Sequence, residues 1–139
     1  MCPAEAFWGL GFRPGVDIRA LTRDEAIAIY RRDFWDALHL DFLPAPLAAM
    51  LFEGAVNQGP GSAKGFIRAL QGLLGVPADG VIGPLTGQAC RGHDPARLLR
   101  RLGVVRAIRY TEARNFPTYN VAWLDRLYEC FDYCEGLPS

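Results

Sequence analysis

Glu53 is the only ionisable side chain between Asp41 and Lys64, and it interrupts the apolar run Pro-Leu-Ala-Ala-Met-Leu-Phe-Glu-Gly-Ala-Val of residues 46–56. A carboxyl desolvated in this way favours its neutral form and can serve as a general acid, unless a neighbouring cation holds it ionised. The second arrangement is a buried ion pair with an Arg such as Arg106 or Arg109, from a stretch that carries several guanidinium groups. One turn further on, Asn57 and Gln58 precede Gly59-Pro60-Gly61. Their amides can bond a polar ligand while the glycines let it approach closely. Asn57 equally suits the C-cap of a helix that ends there. Tyr30, Trp35 and Trp123 offer rings for stacking, although aromatics at helical spacing more often belong to a core.

Other chemistries find little support. Two histidines and no Gly-x-Ser-x-Gly leave nothing for a Ser or Cys hydrolase, and no phosphate-binding loop occurs. The four cysteines, Cys2, Cys90, Cys130 and Cys134, include no Cys-x-x-Cys, and His39 and His93 lie far from them in sequence, so no metal site and no cofactor are expected. Cys130 and Cys134 are four apart on an expected helix, a spacing poorly suited to a disulfide, and are read as reduced, partly buried thiols.

The elements that must position these groups are helical. Residues 1–21, rich in Gly, Pro and aromatics, show neither a helical nor a strand period and are expected to form an irregular arm. Thr22-Arg23-Asp24-Glu25 has the form of a capping box, opening a helix that buries Ile27, Tyr30, Phe34 and Leu38 and ends near His39. The run from Pro46 to Val56 is apolar nearly all round, which marks a central helix enclosed by its neighbours. After the Gly-Pro-Gly break, Ala63, Phe66, Ile67, Leu70, Leu73 and Leu74 trace an amphipathic helix. Asp79-Gly80 is a turn, with Pro84 suited to the first turn of the next helix. Asp94-Pro95 opens a helix to about Asn115, and Pro117 precedes another using Val121, Leu124, Tyr128 and Phe131. The expected fold is all-α, one helical domain over residues 22–139.

Composition agrees with a single globular domain: 139 residues, 50% apolar, with 15 basic and 15 acidic side chains. A zero net charge argues against a nucleic-acid partner. No stretch approaches the ~20 apolar residues of a membrane span. The start Met1-Cys2-Pro3-Ala4-Glu5 lacks the basic and apolar regions of a signal peptide, so synthesis is expected in the cytoplasm.

Taken in order, Leu21-Thr22-Arg23-Asp24-Glu25-Ala26 to Trp35-Asp36, then Phe52-Glu53-Gly54-Ala55-Val56-Asn57-Gln58-Gly59-Pro60-Gly61, resemble family-108 glycoside hydrolases, the phage and bacterial N-acetylmuramidases also called secretion activators. Leu74-Gly75-Val76 with Ala78-Asp79-Gly80-Val81-Ile82-Gly83-Pro84-Leu85-Thr86 is similar to the peptidoglycan-binding segment of that family, and about residues 62–134 correspond to that region. Ala122-Trp123-Leu124-Asp125-Arg126 is similar to its aromatic-Gly-Trp-Leu-x-Arg ending. The resemblance covers about residues 16–128 and implies a lysozyme-like helical fold, glycan strands of peptidoglycan as partner, action at the cell wall after release or export, and Asn57 and Gln58 as glycan contacts; Tyr30 and Trp35 are added as candidate stacking rings and Glu53 as a candidate acid from their own type and setting. Relatives more often carry Asp at the position of Glu53.

One departure bears on activity. The family's general acid is expected in a Glu-Gly-Gly-Tyr motif well upstream of the Leu-Thr-Arg-Asp-Glu helix. Only 21 residues precede Thr22, and Glu5 lacks the flanking glycines. The expectation is a family member without its catalytic front end, which binds glycan with hydrolysis in doubt. The alternative is an interaction protein of phage origin, with a homodimer or protein partner covering the face left by the missing segment.

Overall fold

Thr22 starts the first helix as its sequence requires: its hydroxyl accepts from the Glu25 amide at 3.1 Å, in extended backbone just before Arg23. The computed structural model describes residues 18–139; the arm before Ile18, with Cys2 and Glu5, lies outside the described residues. Residues Ile18–Ala20 form a single 3-10 turn. Six α-helices occur among the described residues, with no strand. They are α1 (Arg23–Tyr30), α2 (Ala45–Gln58), α3 (Pro60–Leu74), α4 (Pro84–Arg91), α5 (Pro95–Thr111) and α6 (Phe116–Glu135).

The expected first helix does not run on as α to His39. Beyond Tyr30 the chain widens into a π turn, Arg31–Asp36, and a 3-10 turn, Leu40–Phe42, follows His39 in the left-handed region. The wider turn rotates the buried face. Phe34 is buried, and Ile29, Tyr30 and Leu38 pack beside it, whereas Ile27, expected inside, is 54% exposed.

Helix α2 is the enclosed centre that its composition predicts. Leu47, Ala48, Met50, Leu51, Gly54 and Ala55 are all buried, and α3, α5 and α6 pack around it. Gly59, at φ 94°, separates α2 from α3 and serves as their common cap, so Asn57 is not the residue that closes the helix. Helices α5 and α6 form an antiparallel hairpin across a short turn, α5 ending at Thr111 and not Asn115. The expected stripe of α6 holds in part: Leu124 and Phe131 pack on the core beside Trp123 and Cys130, with Leu127 and Cys134 buried, while Val121 and Tyr128 are 69% and 68% exposed. Apolar residues occupy both sides of α6, so spacing alone does not choose the face.

The Asp79-Gly80 turn is held from beneath. Gln71, fully buried on α3, donates to Asp79 Oδ1, the Val81 carbonyl and Thr86 Oγ1, and accepts from the Gly80 amide. Gly80 sits at φ 77°, where a side chain is strained. Asp79 also accepts from the Val81 amide, and these bonds hold its carboxyl below the ordinary range. The motif is structural here: it docks the loop before α4 onto α3. No described helix is long and apolar enough to cross a membrane.

Candidate functional site

Arg106 is fully buried in the middle of α5, and the polar residues of α2 are arranged around it. Its Nε donates to Gln58 Oε1 at 2.7 Å, and Gln58 Nε2 donates back to the Arg106 carbonyl at 3.2 Å. Nη1 points at the Met50 carbonyl, and Nη2 lies against Glu53 Oε2 and the Tyr110 hydroxyl. Glu53 uses its other oxygen to accept from Arg126 Nε on α6 at 2.7 Å. Of the two arrangements open to Glu53 from sequence, the structure contains the ion pair. A carboxylate 23% exposed joins α2 to both α5 and α6, as a buried guanidinium demands.

Gly54 makes this possible. A Cβ there would stand 3.0 Å from Arg106 Nε and 3.2 Å from the Phe66 ring. The Glu-Gly-Ala-Val-Asn-Gln stretch therefore reads as a unit: Glu53 neutralises Arg106, Gly54 admits it and Gln58 clamps it. Asn57 completes the row by donating from Nδ2 to the Tyr110 hydroxyl, one turn beyond Arg106 on α5. Burial pushes the Tyr110 phenol up from its ordinary value, with the Arg106 charge opposing.

Above this layer opens a cleft of about 290 Å³ between the end of α2, the start of α3 and the α5–α6 hairpin, lined by Asn57, Gln58, Ser62, Tyr110, Ala113 and Trp123. Its size is near the lower end of the ~300–1,000 Å³ usual for small-molecule sites. Trp123 stacks on Tyr110 with ring centroids 5.4 Å apart and is flanked by Tyr119 at 5.8 Å. At the rim, Arg109 donates to Ser62 Oγ and to Glu112, each at 3.0 Å. Arg109 and Glu112 also line the cleft but neutralise each other, so its amide and hydroxyl groups beside aromatic rings suit a neutral, hydroxyl-rich ligand better than a charged one.

The sequence candidates divide between two places. Asn57, Gln58 and Trp123 come together in the cleft. Glu53 and Trp35 instead share a neighbouring groove of about 570 Å³ with Arg126, Cys130 and Tyr133. Trp35 is held there by its indole N–H on Asp41 Oδ1 at 2.8 Å, with Arg31 over the ring and Phe52 beside it. Tyr30 is in the wall of neither; it packs against Phe34 and Phe52. Tyr110 was missed from sequence, although its place four residues after Arg106 puts the two on one helix face.

The sequence profile of glycosyl hydrolase 108 matches residues 4–59, the segment that ends on the Asn57-Gln58-Gly59 corner of the cleft. The structure of Brucella abortus SagA is similar over 90% of this chain and 70% of that one, with 28% identity and a TM-score of 0.77. The profile match and the structural likeness together support an assignment to the glycosyl hydrolase 108 family. The all-α, lysozyme-like architecture expected from sequence agrees with that likeness, and the family relates the chain to peptidoglycan hydrolases. No curated protein matches it.

Proposed function

We propose that this chain binds glycan strands of bacterial peptidoglycan in the cleft between α2, α3 and the α5–α6 hairpin, without cutting them in this form. The cleft carries the reading: Trp123 and Tyr110 give its wall an aromatic surface, and Asn57, Ser62 and the Tyr110 hydroxyl supply groups that bond hydroxyls and acetamido substituents. Glu53 acts as the support beneath. Both of its oxygens face guanidinium nitrogens, and its side chain lines the neighbouring groove and not the cleft. Trp35 and Tyr30 hold the aromatic cluster behind α2, and Gln58 shapes the cleft through Arg106. Calorimetric titration with soluble glycan-strand fragments, beside an assay for new reducing ends, tests both halves. Saturable heat without new reducing ends is expected; absence of heat removes the binding, and new reducing ends remove the inactivity.

A second reading is favoured by one other observation. Between α5 and α6 lies an apolar groove of about 570 Å³ lined by Val104, Ala107, Ile108, Leu124, Tyr128 and Phe131. Arg100 is the one charged residue of its lining. A second copy related by a two-fold axis would cover the apolar strip of both chains. Concentration-dependent mass distinguishes this homodimer from a monomer.

A further inference from the structure

The second groove contains two sulfur atoms that the glycan reading does not use. Cys130 Sγ and Cys134 Sγ lie 3.9 Å apart on one face of α6, and Cys130 Sγ is 3.7 Å from Arg106 Nη1. Cys130 is half-buried in the groove wall, and Cys134 is fully buried behind it. We propose that these two residues form a peroxide-responsive dithiol in which Cys130 is the attacking sulfur and Cys134 the resolving one.

The surroundings divide the two roles. From α5, the Arg106 guanidinium faces Cys130; from α2, Glu53 opposes it; Arg126 shares the groove from α6 itself. The hydrogen bond with Cys134 holds the Cys130 thiol below its ordinary value, with help from Arg106, against burial and the Glu53 charge. The same bond and burial push Cys134 up. Cys90 has no such partner, and burial pushes its thiol up to about 11.

The chemistry balances with a hydroperoxide as oxidant. The Cys130 thiolate attacks one peroxide oxygen, the O–O bond breaks, and the departing oxygen takes a proton from water to leave as alcohol or water. Cys134 sulfur then displaces hydroxide from the Cys130 sulfenic acid; its proton and that hydroxide leave as water, and the S–S bond forms. Two thiols lose two electrons and one hydroperoxide gains them.

Closing the bond calls for the end of α6 to give way. Residues four apart on an α-helix have Cα atoms roughly 6 Å apart, inside the ~4.4–6.8 Å range of disulfides. Cys134 is the penultimate residue of α6, two residues before the Gly136 cap, where the last turn can adjust. The poor fit expected for a helical Cys pair applies to a helix interior and is relaxed at this terminus.

Peptide-resolved mass spectrometry of the intact chain tests the proposal, since cleavage after Arg126 leaves both cysteines on one peptide, residues 127–139. With limiting iodoacetamide near neutral pH, Cys130 should react about tenfold faster than Cys90 or Cys134. Hydrogen peroxide should remove two hydrogens from peptide 127–139, reversibly with a thiol reductant. Cys134→Ser, checked for retained helix by circular dichroism, should instead accumulate a dimedone-trapped sulfenic acid at Cys130. Equal alkylation of Cys130 and Cys90 would overturn the proposal, as would a peroxide product unchanged by Cys134→Ser or a Cys130 linkage to Cys2.

Discussion

Glu53 and Arg106 meet across α2 and α5 because the residue after Glu53 has no side chain. Gly54 leaves the space through which the Arg106 guanidinium passes, and the cleft above depends on that passage, since Arg106 clamps Gln58 and shares the Tyr110 hydroxyl with Asn57. Removing the acid from this pair strands a buried cation. Glu53→Leu should lower unfolding stability by about 3–5 kcal/mol, measured by urea denaturation. Glu53→Leu combined with Arg106→Met should be less damaging than Glu53→Leu alone. A loss below about 1 kcal/mol for the single change would place Glu53 outside the structural framework.

Two glycines should resist replacement by alanine, in a stated order. Ala favours a helix over Gly by about 1 kcal/mol. Against that, a Cβ at Gly54 meets Arg106 Nε at 3.0 Å, and one at Gly87 meets the Phe42 carbonyl oxygen at 2.3 Å. The first neighbour is a side chain that can shift and the second is backbone. Gly54→Ala should cost about 1–2 kcal/mol and Gly87→Ala about 3 kcal/mol or more, seen as a larger fall in thermal midpoint for Gly87→Ala. Equal midpoints would contradict the ranking.

Acid should weaken the Asp79 turn only once the pH falls below the ordinary aspartate range. Bonds from the Val81 amide and the Gln71 side chain hold the folded Asp79 below its ordinary value of 3.8. A depressed folded value contributes stability above the unfolded value, and that contribution is lost as pH falls through the folded one. Asp79→Asn should therefore flatten the pH dependence of stability below about pH 4 while lowering stability near neutrality. An unchanged acid limb would show that the turn does not sense pH.

The fold was legible in sequence where one residue type has one use. The Thr22 cap, the Asp79-Gly80 turn, the Asp94 cap and the all-apolar α2 each follow from local chemistry. The face of α6 was not, because Val121 and Tyr128 fit the helical period as well as Leu127 and Cys134, and only tertiary packing chooses between them. The π turn at Arg31–Asp36 escaped for a similar reason: it leaves no signature in composition, yet it turns Ile27 outward. At the site, Glu53, Asn57 and Gln58 were visible as polar residues in an apolar setting. Their partners Arg106 and Tyr110 come from a helix some fifty residues away, and no short-range pattern connects the two.

If a second copy covers the groove between α5 and α6, a charge placed there should prevent it. Ile108→Glu should leave the helix content unchanged and abolish any concentration-dependent increase in mass seen by sedimentation. A wild-type chain that stays monomeric at all accessible concentrations removes the homodimer.

The cleft itself is best tested by filling it. Ala113 is exposed at the rim, where a large ring can occupy the space beside Trp123 without entering the core. Wild-type protein should co-sediment with purified insoluble peptidoglycan, and Ala113→Trp, folded equally well, should remain in the supernatant with affinity reduced at least about tenfold. Wild-type protein that stays in solution, or an Ala113→Trp variant that pellets as the wild type does, would contradict glycan binding in this cleft.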